Sequence, residues 1–153
     1  MRYILILIVF NFAYVYSADF DIKRMRELLE LVDENEKSYL ELEKLTEGST
    51  HHQPIAFGYR GLYYFMKAKY VSWPNQKLAA FNIGKQIIEA LITLNPKEPE
   101  LRLIRYCIQY HAPAILGYNS NLKSDKKVMH DAQNKSEYKA IHYLLNGVLT
   151  LYP

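Results

Sequence analysis

The stretch 102-RLIRYCIQYHAPAILGYN-119 decides how this chain is read. With Leu101 just ahead of it, Ile104 and Ile108 recur at the three- and four-residue steps that place side chains on one face of a helix. Pro99 suits the first turn of that helix, and Pro113 stops it. At 100° per residue, Arg105 falls about 40° from Leu101, on the border of the buried face. Arg102 and Gln109 stand beside it, so Arg102, Arg105 and Gln109 make one polar stripe at i, i+3, i+7. A charge on the border of a buried face needs a partner, because an unpaired buried ion is very costly. Two readings follow. Arg105 forms a structural ion pair with a carboxylate on a neighbouring helix, Asp125 ahead of Glu89 and Glu100. Alternatively, the guanidinium forks of Arg102 and Arg105 hold an anion or carboxylate ligand.

The same period extends outward in both directions. Asp21 can cap a helix from Ile22 in which Met25, Leu28, Leu29 and Val32 recur at three- and four-residue steps. A second helix keeps Tyr39, Leu42 and Leu45 together and stops at Gly48. Its acidic residues read as a solvated face laced to Lys37 and Lys44. Pro54 fits a first turn, and residues 55–71 are helical until "SWPN" interrupts. Residues 76–94 form a long helix ended by Asn95-Pro96. A further helix starts at 119–121 and runs to about 134. Ser136 is expected to cap a last helix striped by Ile141, Leu144, Leu145 and Val148. No run of period-two alternation is present. Six or seven helices joined by short loops imply antiparallel neighbours, so the fold class is all-α, built of helical hairpins.

Within 55–71, Gly58, Gly61 and Ala68 fall on one side, where small residues let another helix come close. Two interior glycines cost about 1 kcal/mol each relative to alanine and need that compensation. Tyr59, Tyr63, Met66 and Tyr70 follow a heptad seam. This is either core packing or a tyrosine-lined groove for a peptide or apolar ligand.

The first segment sets the expected compartment. Arg2 precedes an apolar run from Ile4 to Phe10 that continues to Tyr16, and Val15 and Ser17 suit cleavage before Ala18. Residues 4–16 as a helix would reach only about 20 Å against roughly 30 Å of bilayer core, which favours a signal peptide over an anchor. The expected organisation is a signal peptide at 1–17 and a single all-α domain at 18–153. The protein is then exported, periplasmic or secreted, and touches membrane only through its N-terminal segment. Cys107 is the single cysteine, so no intrachain disulfide can form and stability must come from burial.

Gly84, Ile88, Leu91 and Pro96 stand at spacings that resemble the second helix of a tetratricopeptide repeat. The segments "YYFMKAKY", "NPKEPELRLIRYCIQYHAPAILGYNSN" and "SDKKVM" are similar to a family of small exported bacterial helical proteins with no assigned activity. That similarity covers about residues 54–134, most recognisably in Arg-x-x-Arg and in the Pro-then-Leu-Gly-Tyr turn. It implies export and a helical, hairpin-stacked architecture, and it brings no substrate or mechanism.

Composition narrows the chemistry. A net charge of +3 with interspersed signs lacks the concentrated basic footprint that phosphate neutralisation needs, so nucleic acid is not an expected partner. The chain has no P-loop, no Gly-rich dinucleotide turn and no serine nucleophile elbow, and no cofactor is expected. Cys107 and His111 share a face at i, i+4 but lack a third orienting group, so this flank of the helix, both residues included, reads as core rather than as a nucleophile pair. His51, His52, His130 and His142 show no metal-ligand spacing, and no metal is expected. Fourteen tyrosines, apolar in the ring and polar at the tip, suit adaptable contact surfaces. The leading expectation is a module that binds another protein or peptide. The alternative is an anion or small-molecule site lined by Arg102, Arg105, Gln109, Tyr59, Tyr63 and Tyr118. An enzyme ranks last, with no catalytic residue named.

Overall fold

Prolines fix the starts of the three central helices. Pro54, Pro74 and Pro99 each open a helix in its first turn, where a locked φ is pre-organised and a missing N–H costs nothing. The computed structural model describes residues 20–30 and 36–152. The signal segment expected at 1–17 lies outside the described residues. Among the described residues there are seven α-helices: α1 Ile22–Glu30, α2 Glu36–Leu45, α3 Pro54–Tyr70, α4 Pro74–Leu94, α5 Pro99–His111, α6 Leu122–Ala132 and α7 His142–Leu151. Two 3₁₀ turns, Ala114–Leu116 and Ser136–Ile141, complete the path, and there is no strand among the described residues. The fold is all-α.

Two boundaries differ from the sequence expectation. The long helix begins at Pro74 rather than Gln76, because "SWPN" both ends α3 and supplies the first proline of α4. Ser136 does not cap the last helix. Residues 136–141 wind as a 3₁₀ turn with Tyr138 at φ −103°, ψ 16°, outside the α-helical well, so the α ladder restarts only at His142.

The helices pair as antiparallel hairpins. Side-chain contacts between α3 and α4 join Phe65 to Phe81 and Gly61 to Ile88, in opposite chain directions. Tyr39 stacks on Tyr70 while Glu43 reaches Tyr63, which sets α2 antiparallel to α3 in the same way. Gln109 meets Asn121 and Arg102 meets Asp125, pairing α5 with the segment entering α6 and with α6 itself. The α3–α4 pair is the most extensive, and α3 also touches α1, α2 and α5.

Glycine explains how α3 can serve so many neighbours. A Cβ on Gly84 would stand 2.8 Å from the carbonyl oxygen of Gly61 and 2.9 Å from the Phe65 ring. One on Gly61 would stand 2.9 Å from Ile88, and one on Gly58 would stand 2.6 Å from Leu101. The two α3 glycines therefore face different partners, Gly61 toward α4 and Gly58 toward α5. Close approach offsets the roughly 1 kcal/mol that each costs in helix propensity.

Around this crossing the core gathers Met25, Leu28, Leu42, Leu62, Met66, Ile88, Leu91, Leu101, Ile104, Met129 and Leu145, all at most 3% exposed. Tyr59 and Tyr63 belong to it, at 0% and 1% exposure. The reading that places them in an open groove is corrected here: their rings fill the seam between α3 and its neighbours, and only Tyr70 at the seam's end is half-buried.

Candidate functional site

Arg105 sits at the centre of a buried polar knot that ties α4, α5 and α6 together. Its position on the edge of the apolar face puts the guanidinium under Asp125 of α6, and both residues are almost fully inaccessible. Arg105 Nε donates to Asp125 Oδ2 at 2.7 Å, and Nη2 donates to Oδ1 at 2.6 Å, a two-pronged pair. The third nitrogen, Nη1, donates to Glu89 Oε2 of α4 at 2.6 Å. Arg102 joins from one turn earlier: Nη1 donates to Asp125 Oδ1 at 3.1 Å and Nη2 to the carbonyl of Pro96 at 2.9 Å. Its Nε, buried and without a hydrogen-bond partner, is the unsatisfied atom of the knot. Two cations meet two anions, so the charge closes to zero.

The remaining members of the stripe are also engaged. Gln109 is buried and makes a reciprocal pair with Asn121: its Nε2 donates to Asn121 Oδ1, and its Oε1 accepts the Asn121 backbone N–H, both at 3.1 Å. This amide clasp fixes the entry to α6. Tyr118 donates to the second oxygen of Glu89 at 2.6 Å, and its ring packs on Phe65 and edge-on to Phe81. Gly117, at φ +58°, makes the left-handed turn that brings Tyr118 inward after the 3₁₀ stretch. Burial opposes the positive charge of Arg105, but Asp125 and Glu89 outweigh it and hold its pKa above the usual arginine value. Burial, reinforced by the Glu89 carboxylate, pushes the Tyr118 phenol far above its ordinary range.

A second buried pair has no counterpart among the sequence expectations. Glu100, considered as a partner for Arg105, is 2% exposed and pairs with a residue of α1 instead. Arg26 Nε and Nη2 donate to its two oxygens at 2.8 and 2.7 Å. The Tyr59 hydroxyl donates to Glu100 Oε1 at 3.0 Å. Burial and this carboxylate raise the Tyr59 phenol well above its usual value. The available signal was an acid in the first turn of a helix whose next turn is core. Such an acid needs a cation, but no spacing in the sequence names Arg26.

The structure thus brings together Arg102, Arg105, Gln109, Tyr118 and Asp125, and separates them from Tyr59 and Tyr63. Tyr59 is bound to Glu100, and the Tyr63 hydroxyl donates to Glu43 of α2. Glu41, expected on a solvated face laced to lysines, instead takes a two-pronged pair from Arg24 of α1.

The opposite flank of α5 carries rings rather than chemistry. Cys107 is half-buried against the core, while His111, expected to share that burial, is exposed. His111 Nε2 lies 3.1 Å from the Tyr152 hydroxyl. Tyr110 stacks 6.3 Å from Tyr106 and lies 4.3 Å from the Tyr152 ring. Just beyond, Ile115 on the first 3₁₀ turn is 93% exposed, and Leu151 beside Tyr152 is 70% exposed. Among the described residues no cluster of His, Cys, Asp and Glu could hold a metal ion. The chain matches no protein-family model, no curated protein and no solved structure.

Proposed function

We propose that the chain is an exported helical module that binds another protein or peptide through the C-terminal end of α5, the 114–116 turn that follows it in sequence, and Tyr152, which packs on α5. One observation carries this reading: Ile115 is 93% exposed yet rigidly presented. Pro113 ends α5, the turn carries Ile115, and the left-handed Gly117 returns the chain to the core. A large apolar side chain held outward by fixed backbone, next in sequence to a tyrosine–histidine cluster, suits a contact surface better than a solvated one. Tyr110 and Tyr152 add amphipathic rings of low conformational entropy, the kind of side chain that anchors adaptable interfaces. The anion-binding alternative finds less support, since every nitrogen of Arg105 already donates to Asp125 or Glu89.

The test is affinity capture from the exported fraction with the wild-type protein and with Ile115→Asp and Tyr110→Ala. The expected result is one partner captured by the wild type and lost by both variants. A captured set that both variants retain refutes this surface. A small anion retained in native mass spectrometry would establish the alternative instead.

A further inference from the structure

Between Glu47 and Glu89 the chain contains no acidic residue, while Arg60, Lys67, Lys69, Lys77 and Lys85 lie inside that span. The span contains α3 and most of α4, so the hairpin they form is cationic along its length. Its closed end, where α3 finishes and α4 begins, is also its most exposed part: residues 72–76, 78 and 79 all face solvent. Trp73, the only tryptophan, is 66% exposed there, and Leu78 is 51% exposed.

This end is rigid. Trp73 is the N-cap of α4, with Pro74 behind it, and its carbonyl accepts the Lys77 N–H at 3.0 Å. Lys77 Nζ donates to the Lys69 carbonyl at 3.1 Å, which staples the first turn of α4 to the last turn of α3. Tyr70 is stacked 4.8 Å from Tyr39 of α2. Glu36 and Glu43 of α2 lie beside Tyr39, and Glu43 already accepts the Tyr63 hydroxyl.

We infer that the α3–α4 tip docks on the anionic surface of a lipid bilayer, with Trp73 and Leu78 in the headgroup layer and Lys67 and Lys69 facing lipid phosphates. Tryptophan prefers that layer because its ring is apolar and its N–H is polar. Lysine stems lie along apolar surface while their ammonium groups reach anionic oxygens. An outward end suits a flat partner, where a peptide would need a groove. Among the described residues no helix is long and apolar enough to cross a membrane, so the contact is peripheral.

Trp73 reports on this site alone, because no other residue of the full chain emits as tryptophan. The experiment titrates the protein with phosphatidylcholine vesicles, with and without phosphatidylglycerol, following Trp73 emission and its quenching by acrylamide. A blue shift with protection from quenching is expected only with phosphatidylglycerol. The variant Lys67→Gln/Lys69→Gln, its fold checked against the wild type by far-UV circular dichroism, should need about 30-fold more lipid for half-saturation, roughly fivefold per lysine. An equal shift with neutral vesicles, or no shift with either, overturns the proposal. A shift with poly-glutamate but not with vesicles also overturns it, and would make the tip a site for an acidic protein segment.

Discussion

Replacing Arg105 by alanine separates a structural knot from a ligand site. The change removes three charge-assisted hydrogen bonds, at 2.7, 2.6 and 2.6 Å, and leaves Asp125 buried at 0% exposure. At roughly 1.5–3 kcal/mol each, the three bonds would sum to about 5–9 kcal/mol gross. The sum overstates the loss, because the desolvation of Arg105 is recovered and Asp125 keeps its contact with Arg102 at 3.1 Å. Breaking one side of a buried pair costs about 3–5 kcal/mol, and the surviving Arg102 contact argues for the lower end, about 3 kcal/mol. For an ordered domain of about 130 residues the entropy of unfolding is about 0.27 kcal/mol/K, so Tm should fall by about 11 °C. Urea unfolding and thermal melts followed by circular dichroism measure both. Arg105→Lys keeps the charge but loses the planar fork, and should fall between wild type and alanine. A double-mutant cycle of Arg105→Met with Asp125→Leu should give a coupling of at least about 1 kcal/mol. If Arg105→Ala melts within a few degrees of wild type, the knot does not hold the helices and the structural argument fails.

Gly84→Ala should destabilise by about 1–3 kcal/mol, since its Cβ would meet the Gly61 backbone oxygen. Gly147→Ala, inside α7 with open space around its Cβ, should instead gain up to about 1 kcal/mol; equal effects in denaturant titrations would rule out the close-crossing account. Alkaline pH should unfold the protein through Tyr59 and Tyr118, whose phenols are raised when folded. Their contribution is complete below the unfolded tyrosine pKa of about 10 and is lost above it, because the unfolded chain releases these protons first. The slope from the two is about 2.7 kcal/mol per pH unit above pH ~10, and phenolate absorbance should show both ionising only with unfolding.

Much of this architecture was legible because its signals are local. Proline placement, a 3.6-residue apolar period and short connections suffice for helices α3 to α5 and for their antiparallel pairing. The position of Arg105 at the edge of the α5 face required a buried partner, and that reasoning reached Asp125 and Glu89 because both sit on neighbouring helices. The other buried pair escaped it. Arg26 and Glu100 are 74 positions apart, and nothing in either helix's own pattern selects one for the other. The tyrosine seam was ambiguous for a different reason. A stripe of rings looks the same whether a helix or a ligand covers it, and only the packing of α2 and α5 onto α3 decides. His111 was misplaced because i, i+4 spacing sets direction but not depth: it stays exposed beside Tyr152 while Cys107 is half-buried.

The long separation of Arg26 and Glu100 also has a kinetic side. The α3–α4 hairpin closes through a link of only a few residues, so its crossing can assemble as soon as α4 exists. Helix α1 is synthesised before either, yet the carboxylate that receives Arg26 lies in the first turn of α5. Helix α1 can meet α2 and α3 as they form, but its buried ion pair must wait until Glu100, 74 positions further on, has been made. The Arg26–Glu100 clasp therefore locks α1 to α5 only after the α3–α4 crossing can already have formed.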